Sequence, residues 1–492
     1  MTDASLYPEP PAALSKLTAR NLMRYFGPGA ILASVTIGSG ELVWASRSGA
    51  IFGYSLLWCF FYAGVFKAIQ VYSASRYFTL TGEHPAVTWR QLPGPPLWLP
   101  LLITLPAIVL MLIAFSAIPE TLAGFLHRLF GLPAEGESVG VWTHLELWEN
   151  VWSTVVLVLC LGLALTSSYR MVERVSLVVV ALLVGTIAVS VVVLGPDLVD
   201  LIVGLFVPTS PVYPDWLLEK AQYAAEFRDR NPWLEVSVYL GAVGGGAYDY
   251  LGYVGMLREK RWGLAGRGAV DVERLAGVVG GDGEAARRER QRARLWLRAP
   301  LLDTAVSFVF VILTTLLFAV LGTLVLHTSE IVPSQIDLLT QQERFLTSFH
   351  PQLRWLYRAA VFLAFIGTLY GAFAVYRQTF LESLRSILPR VAERVPTERV
   401  GRWIVSYCFL GGLTVVWLPS SVAGDLLGRL TFGSVLSGAL ACGLWCFAML
   451  WVDRARTPAP LRMGMGLRIA VWVSGLGMLF LGVRTLYAFL FG

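Results

Sequence analysis

The sequence predicts an all-α polytopic membrane protein. Of its 492 residues, 56% are hydrophobic and 15% are charged, and the mean hydropathy is +0.63. Soluble proteins carry about 25% charged residues, so this composition excludes an ordinary soluble enzyme. One membrane-spanning helix needs ~20 predominantly apolar residues, and the chain contains many such runs between short charged stretches.

Eleven apolar segments are predicted to cross the membrane. They are residues 27–46, 50–74, 97–118, 151–167, 174–194, 235–257, 301–326, 355–376, 402–418, 431–452 and 467–490. Basic loops alternate with acidic ones along this order, which is the pattern of the positive-inside rule. We therefore expect a multi-pass protein of the plasma (inner) membrane, with its N-terminus cytoplasmic and its C-terminus outside. The net charge is +6, but the Lys and Arg residues lie in loops between the apolar segments and orient the chain, so no nucleic-acid partner is expected.

The spans divide the chain into regions. In chain order they are a cytoplasmic N-terminal segment (1–25), a first repeat (26–194), an extracellular loop (195–234), a second repeat (235–452), and a last span with the C-terminus (453–492). A basic cytoplasmic insertion (258–300) interrupts the second repeat, and its GGDG centre indicates flexibility between two charged arms. We read it as a solvated loop that fixes topology, with binding to anionic lipid as the alternative.

The cysteines carry little functional signal. All five lie inside apolar segments without a CxxC pair, so we read them as small buried hydrophobic residues. The polar N-terminal residues lack the compact apolar region of a signal peptide. No cofactor is expected.

Glycine clusters interrupt two of the spans. Span one has Gly-Ser-Gly at residues 38–40, and span six has three glycines at residues 244–246. Each cluster is followed by an acid at the same offset, Glu41 in the first and Asp249 in the second. Three consecutive glycines and a midspan acid fit an interrupted helix better than a close-packing helix face, which is the alternative.

The two interrupted spans are five apart in the count, so they run in opposite directions. This arrangement is typical of a 5+5 inverted repeat with an extra eleventh helix, in which the first helix of each half is discontinuous. Irregular backbone at membrane depth is tolerated where it lies inside protein or lines a wet cavity. The pair of interruptions is therefore the predicted binding site.

At these segments the sequence resembles the Nramp (natural resistance-associated macrophage protein, SLC11-like) family of transporters. The likeness begins at Gly27-Pro28-Gly29, continues to the glycine cluster of span one, and recurs in span six. It covers the hydrophobic core in span number and order. The resemblance implies a LeuT-type fold with discontinuous TM1 and TM6, and places the chain in a divergent branch.

The family's metal-binding motif of span one is Asp-Pro-Gly-Asn. By the resemblance its ligand Asp falls on Gly38, its Pro on Ser39, its Gly on Gly40 and its Asn on Glu41. In this position a carboxylate ligand has become a glycine, which removes a metal-binding oxygen.

The family's motif of span six is Met-Pro-His-Asn. Its soft Met ligand falls on Gly246, its Pro on Ala247, its His on Tyr248 and its Asn on Asp249. With both characteristic ligands replaced, we expect the chain not to carry transition metals.

Backbone amides at the starts of the two inner half-helices, near Glu41 and Asp249, suggest an anion site instead. Lys67 in span two adds a positive charge, and the predicted substrate is a small anion such as bicarbonate. The alternative is a divalent metal cation, Mg²⁺ or Mn²⁺, with or without proton coupling, because Glu41 and Asp249 offer hard oxygen ligands. The coupling ion is not predicted.

Several of these residues have a plainer role as an alternative. Glu41 fits a first-turn acid that stabilises a half-helix, Asp249 is undecided, and Lys67 would snorkel to the cytoplasmic interface. Further candidates for substrate binding are glycine, tyrosine, threonine and serine residues of the spans, namely Gly245, Tyr248, Tyr250, Tyr253, Thr368, Tyr370, Thr431 and Ser434.

Two other classes are weighed and set aside. An intramembrane enzyme with Ser39 as nucleophile needs a general base in reach, and the span centres contain no histidine. A receptor does not need paired interruptions. We expect a transporter that works by alternating access, with a small inorganic ion and the lipid bilayer as partners; the oligomeric state is left open.

Overall fold

The structure is a computed structural model that describes residues 5–15, 18, 27, 29, 37–133, 136–165, 169–333, 339–424, 426, 428–429, 434 and 436–491. Helices form nearly all of its regular structure. Within those ranges, strand-like pairing is confined to an isolated bridge between Val139 and Trp142. The all-α class predicted from composition is confirmed.

Helices occupy each of the first five predicted spans. They are a π-helical segment (Ile37–Ala45) that continues into α1 (Ser46–Phe52), then α2 (Leu57–Thr81), the short α3 (Pro85–Thr88), α4 (Trp98–Leu129), α5 (His144–Leu165) and α6 (Tyr169–Leu194). The following loop contains α7 (Leu198–Phe206), α8 (Asp215–Glu219) and α9 (Ala221–Phe227).

The second half begins with span six as two helices, α10 (Trp233–Ala242) and α11 (Ala247–Lys260). The remaining helices are α12 (Val272–Gly280), α13 (Glu284–Trp296), α14 (Arg298–Leu321) with a π-helical end (Gly322–His327), α15 (Arg344–Thr347), α16 (Leu353–Ile387), α17 (Pro389–Arg394), α18 (Thr397–Val416), α19 (Ser420–Ala423), a π-helical segment (Leu436–Leu440) joined to α20 (Ala441–Arg456), and α21 (Met465–Phe491).

Six of the described helices are long and apolar enough to cross a membrane. They are α4, α5, the continuous α13–α14 helix, α16, the helix Leu436–Arg456, and α21. Large apolar side chains point outward from the apolar helices, including Val192 of α6 at 78% exposed and Phe480 of α21 at 69%. Exposing so much apolar surface to water is unfavourable, whereas contact with lipid is not, so the chain is a multi-pass membrane protein. The count of eleven spans stays a prediction.

Helix α4 extends beyond the predicted end of span three. It runs to Leu129 and therefore includes Glu120, which lies two residues beyond the predicted end of the span at residue 118. Both oxygens of Glu120 bind the guanidinium of Arg429, which also donates to Ser116. Glu120 is thereby neutralised by an ion pair at the predicted extracellular end.

The basic insertion differs from the flexible loop that its GGDG centre suggested. Its residues form α12 and α13, and residues 280–283 make the turn between them. The N-terminal segment packs against α13, because Glu289 accepts from the backbone N–H of Tyr7 and the indole of Trp296 donates to the carbonyl of Pro8. The insertion is therefore helical, and the start of the chain packs against it.

The interior of the bundle centres on the interruption between α10 and α11. Helices α2, α11 and α20 contact one another there, and α16 packs along α11. Ala247, Tyr250, Cys442 and Trp445 belong to one buried apolar cluster at this place. The packing brings residues from distant parts of the sequence to the interruption.

Candidate functional site

Span six is discontinuous where its glycine cluster lies. Helix α10 ends at Ala242, and α11 begins at Ala247 with Gly246 as its N-cap. Gly244 and Gly245 have φ angles of +71° and +84°, a region that residues with a side chain rarely adopt. The predicted interruption of span six is confirmed, and we call residues 243–246 the break.

Close packing also restricts the break to glycine. A Cβ atom on Gly244 would lie 2.7 Å from the ring of Phe308, and one on Gly246 would lie 2.7 Å from the hydroxyl of Ser437. Across the same face, the backbone of Gly438 approaches Gly241 so closely that a Cβ on Gly438 would lie 2.3 Å from the Gly241 Cα atom. The π-helical segment Leu436–Leu440 is thus held directly against the break.

Lys67 lies under the break and is fully buried. Its ammonium group donates to the carbonyl oxygens of Leu240, Gly241, Val243 and Gly245 at 2.6, 3.3, 2.8 and 2.7 Å. These carbonyls include those that α10 leaves unpaired at its C-terminus, where a cation is favoured. Snorkelling to the interface is therefore wrong for Lys67, and its charge compensates the broken backbone.

Asp249 caps the other side of the break. Its Oδ2 atom accepts from the backbone N–H of Gly246 at 2.7 Å, which is the first-turn role considered from the sequence. The hydroxyl of Tyr376 faces the same carboxylate, but the buried Oδ1 atom has no hydrogen-bond partner of normal geometry among the described residues. One lone-pair-bearing oxygen thus remains available at the start of α11.

The tyrosines of α11 point to different places. The hydroxyl of Tyr250 donates to the Gly245 carbonyl at 3.2 Å, whereas Tyr253 donates to Asp303 at 2.7 Å and so faces away from the break. Tyr248 is half-buried and its ring lies 5.7 Å from that of Tyr376. Tyr248 and Ser437 line a small cleft that leads to the break.

The glycine cluster of span one is helical where it is described. The π-helical segment Ile37–Ala45 contains Gly38, Ser39, Gly40 and Glu41, so the backbone of the cluster is helical. π-Helical turns frequently occur at functional sites. The side chains of Ser39 and Glu41 lie outside the described residues, as do residues 30–36.

The candidates proposed by analogy with other helices fare differently. Thr368 is buried on α16, and later on the same helix Tyr376 and Thr379 contact Tyr248, the latter donating to the Tyr248 carbonyl at 2.7 Å. The same helix also packs against the π-helical segment of span one. The role of Thr368 stays a prediction.

Among the other candidates, Ser434 packs against Gly241, since a Cβ on Gly241 would lie 2.3 Å from the Ser434 Cβ. Thr431 lies outside the described residues. Tyr370 lies on the same helix as Thr368, and its role also stays a prediction.

Three residues escaped the sequence reasoning, two of them near the break and the third, Asp303, away from it. Gln70 lies one helical turn after Lys67, and this spacing on one helix face was the available signal. Cys442 carried no signal beyond its apolar surroundings. Asp303 accepts from the backbone N–H groups of Gly27 and Gly29 at 2.8 and 2.9 Å, which anchors the start of span one.

The described residues contain no group of three or more His, Cys, Asp or Glu side chains that is arranged to hold a metal. The groups at the break that could bind a ligand are one carboxylate, an amide, a thiol and backbone carbonyls. Most of their atoms are hydrogen-bond acceptors, and the nearby Lys67 ammonium is already bound to backbone carbonyls.

Comparison with known proteins agrees with this architecture. The family model described as natural resistance-associated macrophage protein-like (Nramp) matches residues 29–219. A manganese transporter of Eremococcus coleocola, solved with an aromatic bis-isothiourea substituted compound, superposes with a TM-score of 0.62 at 13% identity, covering 99% of this chain and 90% of the transporter. A mutant of that transporter gives a TM-score of 0.59 at 13% identity, covering 99% and 92%. No curated protein sequence matches the chain.

The resemblance to the Nramp family and the LeuT-type fold are thereby confirmed. The family and these solved neighbours are transporters, which agrees with the expectation that the chain is not an enzyme.

Proposed function

We propose that this chain, an Nramp relative matched over residues 29–219, is a secondary transporter that carries a divalent metal cation by alternating access. The observation that carries the proposal is the unpartnered Oδ1 atom of Asp249 at the break. A buried carboxylate oxygen without a donor is costly in the empty site, and a bound cation removes that cost.

The charges at the break argue against the anion that the sequence suggested. That prediction needed two positive features, the Lys67 ammonium and the free N-terminus of α11. The ammonium is shared by four carbonyl oxygens, and the helix N-terminus is capped by the Asp249 carboxylate. A bicarbonate ion would meet a carboxylate at the position where it needs donors, so the cation alternative is favoured.

The hard oxygen ligands suit Mn²⁺ or Mg²⁺. The structural neighbours include a manganese transporter, which supports Mn²⁺ as the first ion to test. The family's ligand positions hold Gly38 and Gly246 here, so the cation contacts of this chain differ from those of its relatives. Asp249 supplies the carboxylate that Gly38 lacks.

Contacts at both ends of the bundle close the path to this site. At the predicted extracellular end, the buried Arg47 of α1 binds Glu226 at 2.6 Å, lies 3.7 Å from Glu235 and donates to the Pro333 carbonyl. Alternating access requires these contacts of Arg47 and, at the opposite end, the hydrogen bonds of Asp303 with Gly27 and Gly29 to open in turn. The break is the point where α10 and α11 would move independently.

The test is uptake by purified protein in liposomes, with labelled Mn²⁺, Mg²⁺ and bicarbonate followed in parallel. We expect saturable uptake of a divalent cation and no uptake of bicarbonate above that of empty liposomes. Asp249→Asn keeps an acceptor for the Gly246 N–H but removes the charge, and it should reduce cation uptake at least about tenfold. Asp215→Asn, the same change at an exposed loop residue, is the matched control. Bicarbonate uptake without cation uptake would overturn the proposal.

A further inference from the structure

Gln70 is an unsatisfied polar side chain in the membrane interior. It lies on α2 and is fully buried, and apart from a contact with the Cys442 thiol its amide oxygen and amide nitrogen have no hydrogen-bond partner among the described residues. A buried polar group without a partner costs about 1–3 kcal/mol. Such a residue in a membrane span marks a ligand position more often than a packing position.

The amide of Gln70 lies beside the thiol of Cys442 on α20. This thiol is fully buried, donates to the Ser437 carbonyl at 3.4 Å and also faces the backbone N–H of Ala247, the first residue of α11. Cys442 therefore lies at the break, next to the helix start that Asp249 caps.

Three separate helices thus deliver three different donor atoms to one place. They are an amide oxygen from α2, a carboxylate oxygen from α11 and a sulfur from α20, and the three helices are in mutual contact. Two of the three side chains, Gln70 and Asp249, have atoms without a partner in the described part of the chain. None of these three residues occupies Gly38 or Gly246, the two positions at which the family resemblance places metal ligands.

We infer that Gln70 Oε1, Asp249 Oδ1 and Cys442 Sγ bind the transported cation together. The inference rests on the proposed function and specifies the site and the class of ion. Sulfur is a soft ligand that favours transition-metal and related ions over Mg²⁺. Mn²⁺, Zn²⁺ and Cd²⁺ are therefore the expected class, and Cd²⁺ is expected to bind most tightly because it is the softest of the three.

The test is Mn²⁺ uptake into liposomes with Cd²⁺ as competitor. Cys442→Ser is expected to raise the Cd²⁺ concentration for half-inhibition at least about tenfold, with a smaller effect on Mn²⁺ uptake itself, because only the soft ligand is lost. Gln70→Leu is expected to weaken the binding of both ions. Cys446→Ser, a buried cysteine one turn away that packs with Met463 and Val471, is the matched control and should behave as wild type.

A second measurement covers variants that transport poorly because they are unstable. Cd²⁺ should raise the apparent Tm of the wild-type protein and of Cys446→Ser in detergent, but not that of Cys442→Ser. If wild type takes up Mn²⁺ and Cys442→Ser and Gln70→Leu match it in Cd²⁺ inhibition and stabilisation, the inference is overturned while the proposed function stands. If wild type takes up no divalent cation, the proposed function itself fails.

Discussion

Replacing Lys67 by methionine tests how the break is held together. Methionine keeps most of the side-chain volume but removes the ammonium that binds the carbonyls of Leu240, Gly241, Val243 and Gly245. These oxygens lie inside the bundle, where water cannot replace the lost donor. The C-terminus of α10 and the break would then hold several unsatisfied acceptors.

The magnitude follows from the number of short contacts. Three of the four distances are 2.8 Å or less, and each buried acceptor left unsatisfied costs about 1–3 kcal/mol. Removing one member of a buried charged arrangement costs about 3–5 kcal/mol in total, because the backbone relaxes in part. We expect Lys67→Met to lose about 3–5 kcal/mol, which corresponds to roughly 3–5 °C in apparent Tm for a chain of this size.

The assay is intrinsic fluorescence during heating of the purified protein in detergent at one fixed scan rate, because unfolding of such proteins is often irreversible. The matched control is Lys220→Met. That lysine is 37% exposed and binds Glu330, which is 45% exposed, and such surface pairs contribute about 0–1 kcal/mol. If Lys67→Met melts together with wild type and Lys220→Met, Lys67 does not hold the break and the reasoning is refuted.

Three further predictions concern the break, the loop after α2 and the start of span one. Gly244→Ala should lower the apparent Tm by an amount matching about 2 kcal/mol or more, because the φ of Gly244 is +71° and an added Cβ would meet Phe308. The control is Gly281→Ala, which should be neutral because Gly281 has a φ of −69° and no close contact at its Cβ position. Equal Tm values for the two variants would contradict the prediction. Burial lowers the pKa of His84 to about 4, so the folded protein binds fewer protons than the unfolded chain between pH 4 and its ordinary pKa of about 6.5. Stability should therefore fall by roughly 3 kcal/mol as the pH drops through that window, and thermal melts of His84→Gln should show a flatter pH profile than wild type. Asp303→Asn should speed hydrogen exchange at Gly27 and Gly29, measured by mass spectrometry, and unchanged exchange would show that Asp303 does not anchor them.

The sequence predicted the break in span six because its cause is local. Three consecutive glycines cannot form a stable membrane helix, and two of them adopt the positive φ angles that glycine alone tolerates without strain. The acid three residues into α11 is likewise a local feature, and its capping role agrees with its position. Length and hydropathy located the helices for the same reason, although their ends differ by several residues.

The partners of the break could not be predicted, because they come from distant segments. Lys67 binds carbonyls that follow it by 173 to 178 residues, and its apolar neighbours in sequence suggested an interfacial residue instead. Gln70 and Cys442 become ligand candidates when α2 and α20 are packed against α11. The sign of the substrate charge could not be predicted for the same reason, since it depends on which charges are already neutralised.

A Mn²⁺ anomalous difference map from crystals grown with that ion tests the central claim most directly. The account predicts a single strong peak at the break within about 2.0–2.3 Å of the Asp249 Oδ1 atom, a metal–oxygen distance appropriate to such ions. A peak elsewhere in the bundle, or a bicarbonate ion at the break in crystals that also contain Mn²⁺, would contradict it.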